Sequence, residues 1–184
     1  MENRKYRLTK QTMEWNGRTL HRIEAVRPFA DVKAGDLGGW VESESNLLHT
    51  GDCWIYDNAI VSDAAIISEY AVVSDSAIVS EEAVVGGSAV VEDNAIVSGA
   101  AIIGGDALIR STKDYIVFRN FWSSLRSFTW TRSNDRWNVG CFIGTAEELL
   151  EKAYKDSPES GKYYDAYVRF VELLKKIENE TTQD

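Results

Sequence analysis

Three sets of residues in this sequence could do chemistry. The first is His21 and His49, the only histidines in 184 residues. A neutral imidazole can act as general base toward a hydroxyl or amine, but two histidines cannot supply a three-histidine zinc site within one chain. The second is Asp57, Asp75 and Asp93, spaced by eighteen, whose carboxylates could hold a hard cation such as Ca²⁺ if the chain stacks them. The competing reading is that each Asp bonds its own turn backbone and keeps a corner solvated. No Gly-rich calcium repeat is present, so no metal site is expected. The third is a basic-aromatic segment in which Arg110, Lys113, Arg119, Arg126, Arg132 and Arg136 interleave with Phe118, Phe121, Trp122, Phe128, Trp130 and Trp137. Arginine with aromatic rings holds bases and phosphates through cation–π contact and charge-assisted hydrogen bonds. The same composition makes protein hot spots, or an aromatic mini-core with snorkelling arginines. Trp130 and Trp137 fit the core. Arg119, Trp122, Arg126, Arg132 and Arg136 are the candidate ligand or partner site.

The elements that must position these residues are set by a repeat. From Gly51 to Arg110 the chain divides into ten hexads, from GDCWIY to GDALIR, without insertion. The third place is small throughout, Cys53 and then Ala59 to Ala107, and the fifth is aliphatic throughout, Ile55 to Ile109. A short fixed period over this many copies marks stacked units. The two places are two residues apart and therefore share one face of a strand, and the Ser-Asp, Gly-Gly and Ser-Gly pairs between copies supply corners. The pattern, as in Ala59-Ile60-Val61-Ser62-Asp63, resembles the hexapeptide-repeat left-handed parallel β-helix. That resemblance implies three hexads per triangular coil and a fold that is mainly β. Many proteins of the kind are acyltransferases with an acyl-CoA donor and a catalytic His on a loop extruded from the coils. Here the coils are unbroken and His49 falls at an inward place, so a core or capping role is expected and the acyltransferase is the alternative reading.

The fourth place, Trp54, Ile60, Ile66 and onward to Leu108, should point outward and give each face an aliphatic ladder. Contiguous apolar stripes mark contact surfaces, so Ile60, Ile78 and Ile96 are candidate oligomer contacts, with a homotrimer implied by the resemblance.

Before the repeat, residues 1–38 read as strands and a cap, with a hairpin turn at Asn16-Gly17. Counting back eighteen from Ala59 puts Val41 at a small-residue place, so the β-helix is placed at 39–110, with Trp15, Trp40 and Trp54 as a lid. The run from Asp31-Val32-Lys33-Ala34-Gly35 through Leu37-Gly38-Gly39-Trp40-Val41 to Gly51-Asp52-Cys53-Trp54-Ile55-Tyr56 is similar to the YdcK-like hexapeptide proteins of phages and prophages. This implies a bacterial or phage setting and carries no established activity. Residues 111–184 read as a small α+β domain of three strands and two helices, the first opened by the capping box Thr145-Ala146-Glu147-Glu148.

The net charge of −9 is unevenly spread. Residues 57–109 hold nine acids and no Lys or Arg, whereas 110–142 hold six basic residues against Asp114 and Asp135. Extended nucleic acid is disfavoured as a partner, and a local anion site is not. Two cysteines and no apolar membrane span point to a cytoplasmic protein. The reading is a non-enzymatic oligomeric β-helix scaffold, without cofactor. The basic-aromatic segment would bind a host protein or an anionic small molecule such as a nucleotide, and the resemblance to phage proteins implies a role as an inhibitor or sequestering protein in counter-defence.

Overall fold

The computed structural model describes residues 4–181. An antiparallel hairpin, β1 (Tyr6–Trp15) and β2 (Arg18–Ala25), leads to β3 (Leu37–Val41). Ten two-residue strands follow, β4 (Trp54–Ile55) to β13 (Leu108–Ile109), each six residues after the last. Their stacking gives three parallel ladders, β3-β5-β8-β11, β6-β9-β12 and β4-β7-β10-β13, which are the faces of a left-handed parallel β-helix. The third- and fifth-place residues of every hexad are at most 1 % exposed and form one continuous core. Each buried fifth-place aliphatic contributes about 1.5 to 3 kcal/mol against the entropy of ordering its strand.

The corners explain which residues stand in the first place of each hexad. All ten, Gly51, Asp57, Asp63, Glu69, Asp75, Glu81, Gly87, Asp93, Gly99 and Gly105, have positive φ, between 50° and 71°. Their own amides lie outside the coil-to-coil backbone ladder, and the carboxylate one coil earlier accepts several of them. Asp75 N donates to Asp57 Oδ2 at 3.4 Å, Asp93 N to Asp75 Oδ2 at 3.1 Å and Glu81 N to Asp63 Oδ2 at 3.3 Å, and Gly87 N donates to Glu69. The corner Asp therefore bonds the next coil's turn, not its own as the sequence suggested.

The first coil is real but out of the expected register. Val41 pairs with Val61 and Leu47 with Ile67, twenty residues on, whereas Trp54 pairs with Val72, eighteen on. Val41 thus lies under a fifth place, not a small one. The corner at residues 48–52 holds the two extra residues, five between Leu47 and Cys53 against three between Val61 and Ala65. β3 belongs to both architectures, antiparallel to β2 and parallel to β5. Gly38 and Gly39 permit this approach, since a Cβ would lie 2.6 Å from the Ile55 carbonyl oxygen at one and 2.5 Å from that of Ala59 at the other.

The open end is closed by Tyr6, Phe29 and Trp54, with ring centroids 6.2 Å apart for Tyr6–Trp54 and 5.3 Å for Phe29–Trp54. Lys5, fully buried, donates to Cys53 O at 2.7 Å and Gly51 O at 3.3 Å, so its ammonium caps coil carbonyls. Of the three tryptophans expected in the lid only Trp54 is there. Trp15 and Trp40 pack outside, with Leu20 and Ile60 under the hairpin.

After the last coil come β14 (Tyr115–Arg119), β15 (Ser127–Thr131), β16 (Arg136–Val139) and β17 (Phe142–Gly144), in antiparallel order. The sequence suggested three strands here; Gly140, at φ +60°, breaks the third and turns it back as a fourth. Helices α1 (Ala146–Asp156) and α2 (Pro158–Thr181) follow, with the Thr145/Glu148 capping box formed. One face of the sheet, with Phe128, Trp130, Trp137 and Val139, packs on the helices through Leu149, Tyr164, Val168 and Val171. The other seals the last coil, whose amides have no further coil to bond. Ser98 N donates to Tyr115 Oη at 3.3 Å, Ile102 N to Thr129 Oγ1 at 2.9 Å, Leu108 N to Ser133 Oγ at 2.7 Å and Arg110 N to Asp114 Oδ2 at 2.8 Å. Capping of this kind is what a solenoid end requires. Among the described residues no helix is long and apolar enough to cross a membrane.

Candidate functional site

The loop between β14 and β15 presents the most unusual surface. Asn120 is fully buried and builds it: its Oδ1 accepts from Trp122 N at 3.0 Å and Ser123 N at 3.3 Å, and its Nδ2 donates to Ser123 Oγ at 2.9 Å. Asn120 N donates to Arg126 O at 2.9 Å and closes the loop. Leu125 takes φ +55°, a left-handed conformation that the β-helix corners assign to Asp, Glu or Gly. The result is a loop fixed from inside with its apolar side chains turned outward. Phe121 is 66 %, Trp122 73 % and Leu125 67 % exposed.

Two cations flank it. The Arg119 guanidinium lies 5.4 Å from the Phe121 ring centroid, a cation–π contact. Arg126 is exposed at the loop's far end, beside a small groove with Phe142, Lys152 and Asp156. Behind the loop, a cleft of about 360 Å³ is lined by Phe118, Trp122, Tyr163, Ala166, Tyr167 and Phe170. The Trp122 and Tyr163 rings are 12° from parallel with centroids 6.4 Å apart. Partial burial in this cleft raises the Tyr167 phenol above its ordinary pKa.

Arg132 and Arg136 are not part of this loop. Arg119 pairs with Ser127 and Tyr115 with Thr131, so the two ends of the β14–β15 ladder are about 14 Å apart. At the other end, Arg132 forms a two-pronged ion pair with Glu178 at 2.8 Å on each prong, and Asp135 takes Lys175 Nζ at 2.9 Å. Arg136 adds positive potential near Asp106 and Asp135, whose carboxyls are both held below their usual range. For Asp106 the main cause is the Asn134 amide, which donates at 3.0 Å. For Asp135 burial alone would raise the pKa, and hydrogen bonds from Lys175 and Trp130 outweigh it. This end ties α2 to the sheet and the sheet to the solenoid. Sequence spacing cannot separate the two groups, because only the hairpin register reveals which arginines share an end.

The other candidates lie elsewhere. His49 lies against Tyr6 with ring centroids 4.4 Å apart and planes tilted by 33°, at the enlarged corner by the open end, and His21 sits in β2 opposite Val41. Asp57, Asp75 and Asp93 form the corner column already described. On the outward ladder Ile60 is 8 % exposed, covered by the chain's own Leu20 and Trp40, and Ile78 packs against that cluster; Ile96 is 43 % exposed. Trp54, also placed outward by the hexad pattern, is 1 % exposed under the lid. What the sequence missed is the split of α2 into two stripes. Tyr164, Val168 and Val171 are buried and Tyr163 and Phe170 line the cleft, a distinction present in the steps between apolar residues.

No family model matches the chain. It is 40 % identical over 74 residues to the uncharacterized acetyltransferase YdcK of Escherichia coli (strain K12), an alignment covering 35 % of this chain and 23 % of that protein. The chain therefore spans less than a quarter of that relative's length, and this likeness together with the stacked coils fits a hexapeptide-repeat β-helix.

Proposed function

We propose that the chain is a non-enzymatic binding protein in which an oligomeric β-helix serves as scaffold and the 120–126 loop, with Arg119, Trp122 and Arg126, is the recognition surface. The observation that carries this reading is the loop's construction. A fully buried asparagine orders a segment whose apolar side chains face solvent, and such an exposed patch costs stability unless it meets a partner. The flanking arginines favour an anionic partner, either an acidic protein surface or a nucleotide. A phage or prophage setting, with inhibition of a host component or sequestration of a nucleotide signal, extends this reading on the strength of the N-terminal resemblance. The test is mass spectrometry of small molecules carried by the purified protein, together with recovery of bacterial proteins, each repeated with Trp122→Ala and Arg126→Ala. Retention of a ligand or partner by the parent that both variants lose supports the reading. Retention by both variants removes the loop as the site.

A second reading is an acyltransferase, favoured by the name of the E. coli relative. It predicts turnover of acetyl-CoA with some acceptor, abolished by His21→Ala or His49→Ala. Activity insensitive to both changes would exclude histidine as its base.

A further inference from the structure

We infer that α2 carries a self-association seam along which a second copy of this chain packs. The seam shares the 120–126 loop with the proposed recognition surface, so a second copy would cover part of that surface, and sedimentation reads association separately from ligand binding. A helix docked on its own fold needs one apolar stripe, and α2 has two. Tyr164, Val168 and Val171 face the sheet and α1. Tyr163, Ala166, Phe170, Leu173 and Ile177 recur at steps of three, four, three and four, which is the spacing of a coiled-coil seam. Phe170 is 47 %, Leu173 55 % and Ile177 49 % exposed. Tyr163 and Phe170 meet Trp122 and Phe118 at the cleft, but the stripe continues past it through the half-exposed Leu173 and Ile177, where a second helix would extend the seam.

The stripe runs about 21 Å along the helix, from Tyr163 to Ile177. At its N-terminal end it opens into the cleft bounded by Trp122. Together with the 120–126 loop it leaves on the order of 600 Å² of apolar side-chain surface in water, taking about 200 Å² for a whole aromatic side chain. Two copies would cover about 1,200 Å², the lower limit of stable specific interfaces. A single monomer patch of this size is at the top of the usual range.

The charges choose the direction of the pair. Lys162, Arg169 and Lys176 form a row along the outer flank of the stripe. Asp165 lies 2.7 Å from Arg169 and Glu180 3.9 Å from Lys176, which offsets this row only in part. In an antiparallel pair the two basic rows would run along the same flank and repel. In a parallel pair each row lies against the other helix's Tyr167 and Leu174 flank, without like charges. The pairing is therefore parallel about a two-fold axis, with each seam residue beside its own copy.

The experiment is sedimentation velocity on the full chain from about 1 to 100 µM, the range in which an interface of this size should associate. A concentration-dependent dimer is expected. Leu173→Glu with Ile177→Glu should weaken it at least tenfold while leaving the circular dichroism melt unchanged, since both side chains are half exposed. Leu173→Cys in a Cys141→Ser background should cross-link on mild oxidation. A monomer across the whole range overturns the seam, as does an oligomer that survives the double substitution. Dissociation by Ile96→Lys and not by the double substitution places association on the coil ladder instead, and failure to cross-link overturns the parallel arrangement.

Discussion

At the scale of single residues, the corner acids show how one side chain serves two purposes. Asp75 accepts the Asp93 amide at 3.1 Å and itself occupies φ +57°. Aspartate tolerates the left-handed region better than alanine, for which the penalty is about 1–2 kcal/mol. Asp75→Asn keeps both the acceptor and the backbone tolerance and should stay within about 0.5 kcal/mol of the parent. Asp75→Ala loses both, and its thermal or urea unfolding should report a loss of about 1–2 kcal/mol. Equal stability of the two variants would show that the coil-to-coil carboxylate contact contributes nothing. The first place of every hexad holds only Asp, Glu or Gly, so the need for a permissive corner was legible in the sequence. The acceptor's target was not, because the amide it bonds lies eighteen residues away and only the stacking of coils brings it there.

At the scale of elements, legibility tracked the length of the period. The hexad core could be read residue by residue, whereas the first coil could not, since two extra residues at 48–52 shift its register before the pattern starts. The placement of α2 was likewise hidden, because a helix with two stripes does not say which one its own fold buries. Its tie to the sheet makes a prediction in pH. Asp135 is depressed by Lys175 and Trp130 in spite of burial, so its contribution is fully present above the unfolded carboxyl value near pH 4 and is lost as pH falls through the lower folded value. Lys175 is raised by Asp135 and Glu172 in spite of burial, so its contribution holds below about pH 10.4 and fades as pH rises through the higher folded value. The pair is partly exposed, with side chains 32 % and 58 % accessible, and solvent screening limits it to about 1 kcal/mol. Asp135→Asn should therefore lower the urea midpoint slightly at pH 7 and converge with the parent as pH falls through the lowered folded value of this carboxyl. A constant difference across that range would assign the effect to the Trp130 hydrogen bond or to packing.

At the scale of the whole molecule, the solenoid is finished by two different devices. The open end is plugged by side chains of the N-terminal segment, and the far end is sealed by hydroxyls of the β14–β17 sheet. The outward aliphatic ladder on the first face is similarly divided, its first rung covered by the hairpin and its last, Ile96, left half in water. Scaffold and cap should consequently not unfold independently, because the last coil's amides are satisfied only while the sheet is docked. Thr129 is fully buried and accepts the Ile102 amide. Replacing it by valine keeps the volume and orphans that amide, at a cost of about 1–3 kcal/mol. Thr129→Ser retains the oxygen and should cost about 1 kcal/mol or less for the lost methyl. Hydrogen exchange gives the decisive readout. In Thr129→Val the amides of the last coil should exchange faster together with those of β15, while amides of the second coil keep the protection set by global unfolding. If Thr129→Val and Thr129→Ser lose the same stability and leave the Ile102 amide equally protected, the hydroxyl is not the cap and the sheet holds the solenoid through packing alone.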